Sequence, residues 1–130
     1  MRFATHIVVH EHPHLCAALV TSLHHEQIDI YVHVDLKTAQ APFEAAVRDA
    51  GVPVTFVPES SRVDVRWGGM RQVRATLALL DLADSSGARY HRHTLLSGVD
   101  VLLRPLPELL TYWTGDAEHL RIDRRLNRAE

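Results

Sequence analysis

Residues 28–35 read IDIYVHVD, and this stretch decides the fold. Ile28, Ile30, Val32 and Val34 alternate with more polar residues, which is the two-residue period of a β-strand. The run ends on an acid, Asp35. The stretch therefore predicts a strand, the second in the chain, that carries a carboxylate at its carboxyl end.

The segments on either side alternate between strand and helix patterns. In chain order they are the strand RFATHIVVH (2–10), the helix HLCAALVTSLHH (14–25), the helix APFEAAVRDAG (41–51), the strand VPVTFV (52–57), a longer helix from Met70 that closes near Gly87, the strand YHRHTLL (90–96), the helix PELLTYW (107–113) and a fifth strand, AEHLRI (117–122). Strands that alternate with helices of this length pair in parallel through right-handed crossovers. The predicted class is α/β, with a Rossmann-like, mostly parallel sheet.

Composition excludes several functional classes. The 130 residues suit a single domain, and 46% of them are apolar while 23% are charged, as in ordinary globular chains. A net charge of -2, with basic residues scattered except near the end, argues against a nucleic-acid partner. One cysteine, Cys16, excludes an intramolecular disulfide. Neither a signal peptide nor an apolar run of about 18 to 20 residues is found, so we expect a soluble, cytoplasmic chain.

The distinctive residues follow the predicted strands. Ligands of open parallel sheets bind outside the carboxyl ends of the strands. The residues at those ends are His10 to His14, Asp35 with Lys37, Arg62 to Gly69, and Ser97 to Asp100. We expect a binding site at this edge.

Each of these groups also has a plain structural interpretation. Asp35 is placed to accept hydrogen bonds from a ribose hydroxyl or a base N–H, or it caps the following segment. Trp67, with Gly68 and Gly69 behind it, either stacks on a sugar or base or turns the chain and fills a gap in the core.

The turn after the fourth strand and the histidine run are similarly ambiguous. Ser97, Gly98 and Asp100 place an acid where a sugar-diphosphate could lie, or they form an Asx-turn. The run HEHPH (10–14) lacks the spacing of a helical zinc site, so we expect no metal. GxGxxG, GxxxxGK[ST] and GxSxG are absent, which weakens the dehydrogenase, P-loop and hydrolase hypotheses.

The order of the motifs resembles a known family. An initial strand ending in histidine, then DIYVHVDLK (29–37), RVDVRWGG (62–69) before a helix, and YHRHTLLSGVDVLL (90–103) are similar to the N-terminal half of the core-2/I-branching β-1,6-N-acetylglucosaminyltransferases, which include the peptide O-xylosyltransferases. The resemblance runs from His6 to about Ile122, so residues 1–122 are interpreted as a donor-binding half and residues 123–130 as a polar tail or truncated continuation.

The resemblance implies a GT-A type, nucleotide-sugar-binding fold and a transferase activity. It implies inverting, metal-independent transfer of N-acetylglucosamine or xylose from a UDP-sugar to a hydroxyl of a glycan or protein acceptor that the sequence does not identify. Its eukaryotic members are Golgi type II membrane proteins. The donor-binding residues that it implies are Val9, His10, Asp35, Arg62, Trp67, Gly68, Ser97, Gly98 and Asp100.

The sequence also departs from the family. Leu36 replaces a common lysine, Arg71 a usual serine, and Leu102 with Leu103 follow the SGVD turn where a proline and leucine are usual. The resemblance places the general base and the residues that neutralise the diphosphate beyond residue 130, so this chain alone is expected to be weakly active or inactive. The alternatives are a non-catalytic nucleotide or nucleotide-sugar binding module and a structural α/β domain. An unfinished sheet also predicts self-association or a partner chain.

Overall fold

The computed structural model describes residues 1–118. Its elements are β1 (Phe3–Val9), α1 (Pro13–Leu23), β2 (Ile28–Val34), α2 (Ala41–Asp49), β3 (Thr55–Phe56), a 3-10 turn (Glu59–Ser61), α3 (Met70–Ser85), β4 (Arg92–Ser97) and α4 (Leu106–Thr114). The predicted order of these elements is confirmed. The predicted fifth strand lies mostly, and the polar tail wholly, outside the described residues.

All four strands are parallel, in the spatial order β3-β2-β1-β4. In register, Ile7 of β1 lies beside Val32 of β2 on one side and Leu96 of β4 on the other. The α/β, Rossmann-like class predicted from the sequence is therefore correct. Strand order reverses between β1 and β4, and in open α/β sheets the crevice at such a reversal is where ligands bind.

The alternation in IDIYVHVD divides the sheet into two differently packed faces. Ile28, Ile30, Val32 and Val34 point into the larger core, which α1, α2 and α4 cover. Each fully buried side chain of this kind contributes about 1.5–3 kcal/mol. The register of β2 is therefore strongly fixed, since a slip by one residue would exchange its apolar and polar faces.

The second face of the sheet is more polar and is covered by α3. Tyr31 packs there with Leu79 and Ala83 of α3. His33 is fully buried on the same strand, and its Nε2 accepts a hydrogen bond from the backbone N–H of Val63 at 2.9 Å. This face therefore connects the sheet to the segment that leads into α3.

The strand β3 is shorter than predicted. Of the six residues VPVTFV, only Thr55 and Phe56 form strand pairs. Pro53 and Pro58 flank this pair and cannot donate backbone hydrogen bonds, which restricts the strand to a short edge position.

The opposite edge, β4, is only half covered. Residues along β4 alternate between intermediate burial and exposure, and Leu95 is 53% exposed. Three apolar side chains that follow it are also exposed, namely Val99, Val101 and Leu103. This edge of the sheet is therefore apolar, while self-association through it stays a prediction. Within residues 1–118, none of the helices combines the length and apolar character needed to cross a bilayer.

Candidate functional site

A cleft of about 660 Å³ lies at the carboxyl edge of the sheet, between the ends of β1 and β4. It coincides with the reversal of strand order. The residues lining it that matter here are His10, Asp35, Lys37, Trp67, Leu95 and Ser97. Four of the residues predicted to bind a donor are therefore brought together. A cleft of about 630 Å³ at the amino edge, lined by Arg2, Asp29 and Tyr90, holds none of them.

Asp35 is the buried carboxylate of this cleft, with 5% of the residue exposed. Its backbone N–H donates to the carbonyl of Val9 at 2.9 Å, which continues the pairing of β2 with β1. Its Oδ1 accepts from the backbone N–H of Lys37 at 3.0 Å, so Asp35 does cap the following turn. Lys37 Nζ also donates to both oxygens of Asp35, so three of the about four lone-pair sites of the carboxylate are used and about one is left for a ligand donor. The two interpretations of Asp35 are thus compatible.

Arg62 has a different position from the one expected. Its Nε donates to the carbonyl of Val34 at 2.9 Å, and its Nη2 donates to those of Asp35 and Thr38 at 2.8 and 2.6 Å. The guanidinium is thus hydrogen-bonded to backbone carbonyls, and Arg62 does not line the cleft. Arg62 therefore fixes the turn that presents Asp35, and the expectation that it lines the cleft is wrong.

Trp67 stands at the mouth of the cleft, with 94% of the residue exposed. The interpretation that it fills a gap in the core is therefore wrong. Gly68 has φ 73°, a left-handed conformation that favours glycine, and beyond its two chain neighbours a Cβ added there would meet no atom within 4 Å. The glycine thus serves the turn of the backbone. Gly69 is the N-cap of α3.

The SGVD turn contributes Ser97 to the cleft. The backbone N–H of Asp100 donates to the Ser97 carbonyl at 3.0 Å, and Oδ2 of Asp100 accepts from the Ser97 N–H at 2.7 Å. Asp100 therefore closes its own turn, as the structural interpretation predicted. Gly98 is buried against Val9, and an added Cβ would lie 2.4 Å from Val9 Cγ1. Gly98 and Val9 therefore pack closely together next to Ser97, and neither of them lines the cleft.

Lys37, which the sequence placed beside Asp35 at the binding edge without giving it a role, connects the end of β2 to the segment before α3. Its Nζ lies 3.1 Å from each oxygen of Asp35, 2.8 Å from the carbonyl oxygen of Val65, and in contact with the Asp64 carboxylate. The hydrogen bond with Asp64 is the largest cause that raises the pKa of Lys37, and the same bond lowers the pKa of Asp64. Lys37 is the sole lysine of the chain, which was the available signal.

The histidine run lies beside the cleft. His10 Nε2 is 3.3 Å and His12 Nε2 is 3.7 Å from Glu11 Oε1, and the rings of His12 and His14 meet edge to face. Across residues 1–118, no group of three or more His, Cys, Asp or Glu side chains is arranged to hold a metal ion. Metal-independent chemistry remains a prediction of the resemblance.

Comparisons with known proteins do not assign the chain to a family. No family model matches the sequence, and no curated protein matches it significantly.

Proposed function

We propose that this chain is the donor-binding half of a glycosyltransferase of the core-2/I-branching type, and that its cleft binds the nucleotide of a UDP-sugar. One observation carries the proposal. A buried carboxylate, Asp35, and an almost fully exposed aromatic, Trp67, line the same cleft where the strand order reverses. A carboxylate in that position suits a base N–H or ribose hydroxyl, and an exposed indole suits stacking.

The charges around the cleft include a small surplus of positive charge. Lys37 and Arg71 are paired with Asp35 and Asp64, with Arg71 Nη1 at 3.0 Å from Asp64 Oδ2. Arg66 also helps to lower the pKa of Asp64, so three cations surround two carboxylates. Since a diphosphate favours a surplus of positive charge, we expect UDP to bind more tightly than uridine.

Catalysis needs more functional groups than those that line this cleft. Inverting transfer needs a general base that takes the proton from the acceptor hydroxyl as that oxygen attacks the sugar and UDP departs. The carboxylate that lines the cleft, Asp35, is capped by Lys37 and buried. In the proposed enzyme the base and the groups that neutralise the leaving diphosphate come from a second half, as the resemblance implies.

The same observation favours a second candidate, a nucleotide or nucleotide-sugar binding module without catalysis. Both candidates share the cleft, so they make the same binding prediction. They separate in an assay of sugar transfer from UDP-N-acetylglucosamine and UDP-xylose when the C-terminal half of a core-2/I-branching enzyme is added in trans. Transfer that depends on both halves favours the enzyme.

The experiment that tests the shared prediction is a calorimetric titration with UDP and uridine. Asp35→Ala should weaken binding at least tenfold, because a hydrogen bond to a charged group is worth about 1.5–3 kcal/mol. Asp29→Ala is the matched control, since that carboxylate lies at the other end of β2 and lines the amino-edge cleft. A folded wild-type chain without a saturable response would overturn the proposal in favour of a structural domain.

A further inference from the structure

Lys37 lies where two segments of the chain meet. The end of β2 contributes Asp35, the connector between the 3-10 turn and α3 contributes Asp64 and Val65, and Lys37 donates to all three. The lysine side chain is 54% exposed, so its own burial does not hold it there. Its position is set by the acceptors around the ammonium, which offers three N–H donors to four oxygen atoms.

The connector that Lys37 contacts also carries Trp67. The connector begins firmly attached to β2, because the N–H of Leu36 donates to the Val63 carbonyl at 3.1 Å. Beyond Val63, the hydrogen bonds that tie the connector to the end of β2 run through the Lys37 ammonium. Trp67 lies two residues after Val65 in the chain. Among the hydrogen bonds from the connector to the end of β2, those of the Lys37 ammonium are therefore the nearest to Trp67 in the sequence.

The arrangement is sensitive to the loss of Lys37 because two carboxylates share its charge. Asp35 and Asp64 both contact the same nitrogen atom, so their carboxylates are close neighbours. Without Lys37 the two carboxylates repel each other while Asp64 stays paired with Arg71 of α3, so the connector would be held toward α3 and no longer toward the end of β2. The pair of Lys37 with Asp64 lies toward solvent, and pairs of that kind contribute little to overall stability. The consequence of losing Lys37 should therefore appear mainly in the site.

We propose that Lys37 is a positioning residue of the cleft, which orients the Asp35 carboxylate and fixes the connector that carries Trp67. One cation then positions two cleft residues, Asp35 and Trp67. The effect on nucleotide affinity rests on the proposed function, while the effect on Trp67 holds for the unliganded chain.

The first test observes Trp67 directly, in full-length protein labelled with 5-fluorotryptophan. The chain has two tryptophans, so two fluorine resonances are expected, and Trp67→Phe assigns them. Lys37→Met should shift or broaden the Trp67 resonance and leave that of Trp113 in place, whereas Lys37→Arg should restore it. Arg104→Met is the matched control, because it removes a cation from a distant surface pair with Glu108. An unmoved Trp67 resonance in Lys37→Met would overturn the proposal.

The second test measures UDP affinity in a double-mutant cycle of Lys37→Met with Asp64→Asn. Each single change should weaken binding, Lys37→Met by about tenfold, and together they should weaken it less than the product of the two effects because they break the same link. Lys37→Arg should bind within about threefold of wild type. Independent effects would contradict the coupling. A wild-type chain that fails to bind UDP refutes the proposed function alone, since the fluorine experiment still decides the role of Lys37.

Discussion

Replacing Gly98 by alanine tests how closely the SGVD turn packs on the end of β1. The new Cβ would lie 2.4 Å from Val9 Cγ1 and 3.1 Å from Val9 Cβ, whereas carbon atoms in contact prefer about 3.5–4.0 Å. Val9 is 1% exposed and packed in the main core, so it has no room to withdraw. The backbone N–H of Gly98 also donates to the Val8 carbonyl at 3.1 Å, which resists a shift of the turn.

The expected cost of Gly98→Ala is about 1–3 kcal/mol, the usual range for overpacking a filled core. For a domain of this size that corresponds to a decrease in Tm of about 4–12 °C. Thermal and urea unfolding followed by circular dichroism measure it. Val9→Ala removes the clashing methyl groups, so the double variant Val9→Ala with Gly98→Ala should be more stable than the sum of the single effects predicts. A Gly98→Ala chain as stable as wild type, or strict additivity with Val9→Ala, would refute this account.

Three further predictions concern the core, the turn and the cleft. His6 is 2% exposed, and burial followed by the charge of His93 lowers its pKa to about 4 from an ordinary 6.5, so the unfolded chain binds more protons. The contribution of His6 to the free energy of unfolding should be complete above about pH 6.5 and decrease by up to about 3 kcal/mol as the pH falls to 4. In urea unfolding from pH 7.5 to 4.5, the free energy of unfolding should depend less steeply on pH in His6→Gln than in wild type. An identical pH dependence in both chains would contradict the assignment. Arg62→Met should destabilise the fold by about 2–3 kcal/mol in urea unfolding, because three carbonyls lose a charged donor. A loss of stability no larger than in Arg104→Met would count against the role of Arg62. Trp67→Ala should change stability by less than about 0.5 kcal/mol yet weaken UDP binding about tenfold in calorimetry, and unchanged affinity would exclude stacking on this indole.

The fold could be predicted from the sequence because its signals are local and repeated. The alternation in IDIYVHVD is a local property of β2, and it correctly separates the apolar face from the face beneath α3. The rule that ligand sites lie at the carboxyl ends of parallel strands then placed His10, Asp35, Trp67 and Ser97 at one edge. The length of β3 was missed because two prolines flank an otherwise regular strand pattern.

The contacts within the site could not be predicted, because they join residues far apart in the chain. Arg62 binds carbonyls 24 to 28 residues earlier, and Lys37 contacts carboxylates on two different segments. The roles of the glycines could not be predicted from the sequence either. Gly68 is needed for its left-handed backbone and Gly98 for its close approach to Val9, and sequence does not distinguish these two requirements.

The central claim is that the cleft between β1 and β4 binds a uridine nucleotide, and an NMR titration of ¹⁵N-labelled chain with UDP tests it most directly. The account predicts saturable shifts at the amides of His10, Asp35 and Ser97 and at the side-chain N–H of Trp67, with Asp35→Ala abolishing them at the same UDP concentrations. Shifts centred instead on the amino-edge cleft around Arg2 and Asp29, or no saturable shifts in a folded chain, would contradict it.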